Sequence, residues 1–380
     1  MKDNKKVWII TRRAGHNFGS SLQAYALQLT VEKLGYKNEI INYDEYYHNI
    51  KWRIRPFIND CLFKVMCLIP TLSELVAKNK YRWLIERNTQ QGKFDIFERD
   101  NLTLTKKKFN TSKAIARAAK DCDICICGSD QIWSPLLFDP TLFLDFCNKD
   151  RTKTIAYAPS FGINSIGQNR DQIKNLIDSI HFISVREETG SEIIKELTNR
   201  DAPVVLDPTL LLDRKEWVKL ATQADTGSEP YILCYFLGGA YIPYKFIENL
   251  KNQTGYRIIN ICTFRTLNSI QGECIADASP SEFITYIANA AYVCTDSFHG
   301  TIFSILFERQ FFTFERFGNE KENQNSRIYT LLKTCQAQNR LIPYDSIPST
   351  NIPVINFDIL KINLEFEKVG SIKYLETALK

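Results

Sequence analysis

The chain has 380 residues, 44% of them hydrophobic and 24% charged, with a formal net charge of +5. That length exceeds one ordinary core and fits two domains of globular composition. The basic runs, Lys5-Lys6 and Lys106-Lys107-Lys108, are short and lack interleaved aromatics. This argues against nucleic acid, while a mild positive charge suits an anionic substrate or an anionic membrane surface.

From the start, Val7–Ile10 reads as a strand, 14–20 as a Gly-containing turn, Leu22–Leu29 as the opening of a helix, and Glu39–Tyr43 as a strand. This is a βαβ unit, so a parallel sheet covered by helices is expected. The first strand is too short to be the apolar core of a secretory signal. With eleven cysteines, an odd number, this predicts reduced thiols and a cytoplasmic protein. The greasiest segment, Phe57 to Val76, is interrupted by Asp60, Lys64, Pro70 and Glu74. It reads as a core helix or helical hairpin, with a lipid-resting surface beside Lys51, Arg53 and Arg55 as the alternative. No uncharged apolar run reaches about 18 residues, so no membrane-spanning helix is predicted.

The alternation resumes with a helix over Ala114–Lys120 and strands at Asp123–Cys127, Thr154–Ala158, Phe182–Val185 and Pro203–Leu206. Helices fall at Arg170–Ile180 and Thr189–Leu197. Cys125 and Cys127 lie in a strand without a second Cys/His cluster, which favours core packing over zinc. A polar link, Gln223–Glu229, leads into the second half. There, strands are expected at Tyr231–Leu237, Arg257–Asn260, Tyr292–Cys294 and Phe311–Phe314. Helices are expected at Ile242–Thr254, Ser281–Ala288 and Thr301–Glu308. Ile372–Leu379 reads as a final helix that packs back on the N-terminal domain. The chain is expected to divide into 1–210 and 211–380.

Four turns after strands hold the residues with chemistry. His16–Ser21 offers small residues with Asn17 and Ser20 as hydrogen-bonding groups, but it lacks a full G-x-G-x-x-G pattern. Gly128–Pro135 sets Asp130 beside Trp133, as in a sugar-stacking platform, although Asp130 serves equally as a helix cap. Arg186 emerges at a strand end, where a guanidinium can fork onto a carboxylate or phosphate. Thr295–Thr301 places Asp296, Ser297 and His299 where a strand turns into a helix. Helix-start N–H groups favour anions and an imidazole moves protons near neutral pH. Ser297 and His299 are too close in one turn for a Ser-His-Asp triad, and no G-x-S-x-G elbow is present. Arg316, Lys321 and Arg327 supply cations in and around the polar loop from Gly318 to Ser326.

Together, six stretches resemble the polysaccharide pyruvyl transferase family: Asn17–Leu27, Gly128–Trp133, Tyr157–Gly162, Ser184–Glu187, Val205–Thr209 and Thr295–Gly300. The resemblance implies an α/β protein with two Rossmann-like doubly wound domains facing a cleft, GT-B-like in layout. It implies phosphoenolpyruvate as co-substrate, with no cofactor and no metal. The acceptor is a saccharide, lipid-linked in many members, and the product is a pyruvate ketal in surface polysaccharides such as capsule and exopolysaccharide. It places Arg186 and His299 in catalysis. The implied donor set is Arg186, Ser297, His299, Gly300 and a later cation, Lys321 or Arg316. The acceptor set is Asn17, Ser20, Gln23, Asp130 and Trp133, with 1–210 as the acceptor side and 211–380 as the donor side. Ser297 stands where some members carry an arginine, so the second anion anchor lies elsewhere. Glycosyl transfer from a nucleotide sugar and non-catalytic carbohydrate binding are the alternatives on the same layout.

Overall fold

The computed structural model describes residues 5–13, 17–44, 80–238, 242–263, 270–316, 318, 325–346 and 353–380, with side chains from 89 onward in the helix that starts at 80. His16, the Phe57–Val76 segment with its flanking cations, and Lys321 lie outside the described residues.

The first sheet holds β1 (Val7–Ile10), β2 (Asn38–Ile40), β3 (Ile124–Cys127), β4 (Lys153–Ala156) and β5 (Phe182–Ile183), in the order β2-β1-β3-β4-β5. Every pairing is parallel. Helices α1 (Phe18–Lys33), α2 (Lys80–Asn101), α3 (Ser112–Ala118), α4 (Arg170–Asp178) and α5 (Glu188–Thr198) accompany it. β1 and β3 are buried along their whole length, so Val-Trp-Ile-Ile and Ile-Cys-Ile-Cys read as unbroken apolar runs. The three cysteines 122, 125 and 127 are all free and buried.

The second sheet holds β6 (Tyr231–Tyr235), β7 (Arg257–Ile261), β8 (Glu273–Ile275), β9 (Tyr292–Thr295), β10 (Gln310–Phe314) and β11 (Leu341–Ile342), ordered β11-β10-β9-β6-β7-β8 and again parallel. Its helices are α6 (Arg214–Leu220), α7 (Tyr244–Thr254), α8 (Pro280–Asn289), α9 (Phe298–Leu306), α10 (Ser326–Thr334) and α11 (Phe357–Leu379). The fold is therefore two doubly wound Rossmann-like units. In each sheet the chain reverses its direction of growth once, between β1 and β3 and between β6 and β9. Ligands of such sheets bind beyond the strand carboxyl ends at these reversals.

One apolar core joins the units. Phe18 of α1 stacks on Phe283 of α8 with centroids 4.4 Å apart and meets the edge of Tyr235 at 5.6 Å. Trp217 of α6 meets Phe303 of α9 edge-on at 4.9 Å. Helix α11 lies against the first unit: Tyr36 Oη donates to the Leu379 carbonyl, Leu206 N–H to Ser371 Oγ, and Tyr374 Oη to the Ala156 carbonyl.

Three local expectations fail for physical reasons. Residues 203–206 are not a sheet strand, because Pro203 has no N–H to give; only an isolated bridge joins Val204 to Val185. Strand β8 is a short edge strand, exposed at Glu273 and half-buried at Cys274 and Ile275, so no apolar alternation announces it. The expectation of wholly reduced thiols fails at Cys262 and Cys274, which form a disulfide with Cα atoms 5.9 Å apart. The β7–β8 pairing brings them together, with Cys262 N–H donating to the Ile275 carbonyl.

Candidate active site

The first unit delivers a guanidinium between two carboxylates. The chain leaves β3 through Gly128 and Ser129 to Asp130, whose φ of +70° is left-handed. Aspartate tolerates that conformation better than most residues. It leaves β5 through Ser184 and Val185 to Arg186. The 203–207 segment runs beside Val185, with Val205 N–H donating to the Val185 carbonyl, and so brings Asp207 alongside. Arg186 Nη1 donates to Asp207 Oδ2 at 2.7 Å, and its Nη2 lies 3.5 Å from Asp130 Oδ1.

Asp207 is saturated with partners. Oδ2 also accepts from Ser129 Oγ at 2.9 Å, and Oδ1 accepts from both the N–H and the hydroxyl of Thr209. Burial works to raise its pKa, but His299, Arg186 and the Thr209 N–H outweigh burial and hold the carboxyl far below the usual range. Asp130 follows the same logic. Burial opposes ionisation, yet Arg186, His299 and the Ser20 hydroxyl hold it at about 2. Ser20 Oγ donates to Asp130 Oδ2 at 2.5 Å.

The second unit adds an imidazole and an aromatic ring. Ser297 is the N-cap of α9, and its side chain accepts from Gly300 N–H at 3.2 Å. That donor is therefore satisfied inside the turn, which removes it from the anion pocket expected at this helix start. His299, the second residue of the helix, sets Nε2 3.5 Å from Asp207 Oδ2, within ion-pair range but beyond a good hydrogen bond. The ring is pressed against α1: a Cβ built on Gly19 would come 1.9 Å from His299 Nδ1. Only glycine permits that approach. Phe298 lies beneath Arg186, whose guanidinium carbon is 4.5 Å from the ring centre.

Arg186 and His299, distant in sequence, thus converge on one carboxylate oxygen. Arg316 is placed differently from the donor role expected of it. Its Nε donates to Asp296 Oδ2 at 3.0 Å and its Nη2 to the Asp296 carbonyl at 2.9 Å, so it braces the turn after β9. Asp296 Oδ1 meanwhile accepts from Leu237 N–H.

The acceptor set divides as well. Ser20 and Asp130 belong to the charged cluster. Asn17 caps α1, accepting from Ser20 N–H. Gln23 is buried, and its Nε2 is spent on Thr11 Oγ1 and the Arg12 and Ser20 carbonyls. Trp133 is a correction. Its ring is 0% exposed, stacked on Phe143 with centroids 5.1 Å apart, and its Nε1 donates to the Leu142 carbonyl. The turn folds back through the 3₁₀ segment Pro140–Phe143 and encloses the indole, so it offers no face to a sugar.

Sequence reasoning passed over Asp207 and Phe298 as members of this cluster and placed Arg327 only among the cations in and around the polar loop. Asp207-Pro208-Thr209 read as the close of the first half of the chain, and Asp207 does cap a 3₁₀ turn with its carboxylate. The signal available was a carboxylate that ends an apolar run, as Asp130 also does. Among the described residues, no group of three His, Cys, Asp or Glu side chains is placed to hold a metal ion.

Comparison with known families matches residues 17–316 to one described as "Polysaccharide pyruvyl transferase". The match spans well over half the chain, and the chain belongs to the polysaccharide pyruvyl transferase family. Its members are transferases that modify polysaccharides, with a saccharide as acceptor. No curated protein matches the chain. Among solved structures, it is similar to UDP-GlcNAc 2-epimerase from Methanocaldococcus jannaschii at 12% identity and a TM-score of 0.48, covering 95% of this chain and 91% of that one. It is similar to UDP-GlcNAc 2-epimerase from Neisseria meningitidis at 9% identity and 0.47, covering 95% and 99%. E. coli ADP-heptose LPS heptosyltransferase II follows at 8% and 0.39, covering 96% and 99%. These likenesses are distant. Among the described residues, no helix is long and apolar enough to cross a membrane.

Proposed function

We propose that the protein transfers the pyruvyl unit of phosphoenolpyruvate to a saccharide and closes it into a ketal. The observation that carries this reading is the convergence of Arg186 and His299 on Asp207. Phosphoenolpyruvate needs a cation for its two anionic groups and an acid for its methylene carbon. Arg186 supplies the first. His299 supplies the second through Nε2, which has no hydrogen-bond partner among the described residues.

The steps balance without a further reactant. His299 gives a proton to the methylene carbon, which becomes a methyl group and leaves the adjacent carbon electrophilic. A saccharide hydroxyl adds there, and its proton returns to the imidazole. The carbon–oxygen bond to phosphate breaks and phosphate departs. A second hydroxyl of the same sugar attacks the carbon and closes the ketal, and its proton is taken by the departing phosphate. Asp207 touches both working groups. Its Oδ2 lies 2.7 Å from Arg186 Nη1 and 3.5 Å from His299 Nε2, which sets the two side by side.

The test is release of phosphate from phosphoenolpyruvate with and without candidate saccharides, free or lipid-linked. Release that requires the saccharide and yields a ketal by NMR supports the reading. Phosphate release indifferent to saccharide counts against it. So does thermal stabilisation by a nucleotide sugar with none by phosphoenolpyruvate.

A further inference from the structure

Helix α11 has two apolar faces, and the fold uses one of them. Leu360, Leu364, Leu375 and Leu379 are buried against the rest of the protein. Ile359, Ile362, Phe366 and Val369 point the other way and are 51%, 71%, 78% and 60% exposed. Among the described residues, Phe366 is the most exposed large apolar side chain. A helix that only closes a fold needs one apolar stripe. Exposed apolar side chains scattered singly are ordinary, but four in line on one helix form a patch.

The four residues follow one another at intervals of three, four and three, which are the a and d positions of two heptads. A stripe confined to a and d is narrower than the face a helix lays on a globular core. It is the seam by which one helix packs its side chains between those of another. Gly370 stands beside this seam, inside the helix. Glycine is a poor residue for a helix interior. A Cβ built on it would meet nothing within 4 Å, so crowding against the rest of the chain does not call for glycine there. Close approach of a second helix does.

Charge decides what covers the seam. One flank carries Asp358, Lys361, Glu365 and Lys368, which alternate in sign. Both lysines already meet carboxylates of their own chain, Lys361 at Glu308 and Lys368 at Asp213. A helix that rests on lipid keeps its cations free for anionic head groups. Here the cations are neutralised, and two carboxylates stand beside the apolar stripe, so a lipid surface is a poor match. A copy of the same helix is a good one. Turned antiparallel, the seam sets Ile359 by Val369 of the partner subunit and Ile362 by Phe366 of the partner subunit. The flank then sets Lys361 toward Glu365 of the partner subunit, so unlike charges meet.

We propose that the chain forms a two-fold dimer through α11, with Ile359, Ile362, Phe366 and Val369 of each copy interlocked. Such a contact is isologous, so it closes on itself and leaves no free end for further growth. Covering these four side chains on both copies removes about 1,000 Å² of surface, the lower end of the range for specific interfaces. A reversible dimer of micromolar strength follows from that size. The seam shares no residue with the cluster around Asp207, so the dimer stands or falls independently of the proposed transfer.

The experiment is sedimentation velocity of the full chain over about 1–100 µM, comparing wild type, Phe366→Glu and Phe366→Ala. Circular dichroism checks the fold, which these exposed positions should leave intact. Wild type is expected to pass from monomer to dimer as concentration rises. Phe366→Glu brings two added carboxylates into the seam and should weaken association at least about tenfold. Phe366→Ala, which only removes contact area, should weaken it less. If Phe366→Glu does not fold, Phe366→Ala carries the test alone. Vesicles of phosphatidylcholine and phosphatidylglycerol, sedimented with the same proteins, form the second arm.

A wild-type chain that stays monomeric across the whole range overturns the dimer. So does a dimer whose strength is the same in both folded Phe366 variants, because the contact then lies elsewhere. A monomer that sediments with the vesicles, and ceases to in Phe366→Glu, overturns it in favour of a lipid surface.

Discussion

The turns after β3 and β9 carry similar residues and use them in opposite ways. Each has a serine and an aspartate at a strand end. After β3, Asp130 turns into the charged cluster and shares the charge of Arg186 and the hydroxyl of Ser20. After β9, Asp296 is fixed between Leu237 N–H and Arg316, and the ring two places beyond Ser297 does the facing. One turn exposes its carboxylate to the cluster; the other spends its carboxylate on bracing and presents an imidazole. Residue type at a strand end therefore does not assign a role. The direction of the side chain does, and that depends on which unit lies opposite.

The sharpest way to break this comparison is to remove the presented group. His299→Ala is expected to lower kcat for saccharide-dependent phosphate release by about 10²–10⁴. Circular dichroism should show the fold retained, since Asp207 keeps Arg186, Ser129 and Thr209. Activity near the wild-type level would mean that the imidazole is only packed against α1.

A subtler probe removes no polar group. Gly19→Ala puts a methyl group where His299 Nδ1 now lies, so the imidazole must move. Misplacement by about 1 Å costs on the order of 10² in rate. The expected result is a loss in kcat with the fold retained by circular dichroism. If kcat stays intact, the ring has room that the packing does not suggest.

Much of the layout was legible beforehand. The βαβ periodicity located most strands, because parallel strands buried on both faces are plain apolar runs. The positions of Arg186 and His299 at strand ends were legible too. Their meeting was not, because it depends on how α1 and α8 dock the two units, and on Phe18 stacking against Phe283. Asp207 was hidden by its capping chemistry, which explains the residue locally and so masks its longer reach. Strand β8 carries no alternation because it is a short edge strand, exposed at Glu273 and half-buried beyond it. The long α11 was seen only at its C-terminal end, where Leu375, Ala378 and Leu379 are buried; Ile362, Phe366 and Val369 face outward and blur the helical pattern.

Acid should separate the two turns as well. Asp130 has its pKa depressed in the folded chain to about 2, against about 3.9 unfolded. A depressed carboxylate contributes stability that is full above the unfolded value and is lost as pH falls through the folded one. Its contribution, about 2 kcal/mol, should therefore vanish between roughly pH 4 and pH 2. Asp207 adds to the same acid limb. Urea melts across that window should show Asp130→Asn with a flatter acid limb than wild type. An unchanged limb would show that Asp130 is not held by Arg186 in solution.

The smallest expected effect concerns Trp133, in the same turn as Asp130 but pointing the other way. Trp133→Phe keeps an aromatic ring against Phe143 while removing the N–H that serves the Leu142 carbonyl. The cost is one buried hydrogen bond plus a modest loss of volume, about 1–2 kcal/mol, read as a lower urea midpoint with unchanged slope. The KM for a saccharide acceptor should not move, because the indole presents nothing to solvent. A stacking platform would behave in the opposite sense, with KM rising and stability barely altered. Asp130 and Trp133 lie three residues apart, so contrary outcomes from the two would show that the turn divides its side chains between the charged cluster and the core.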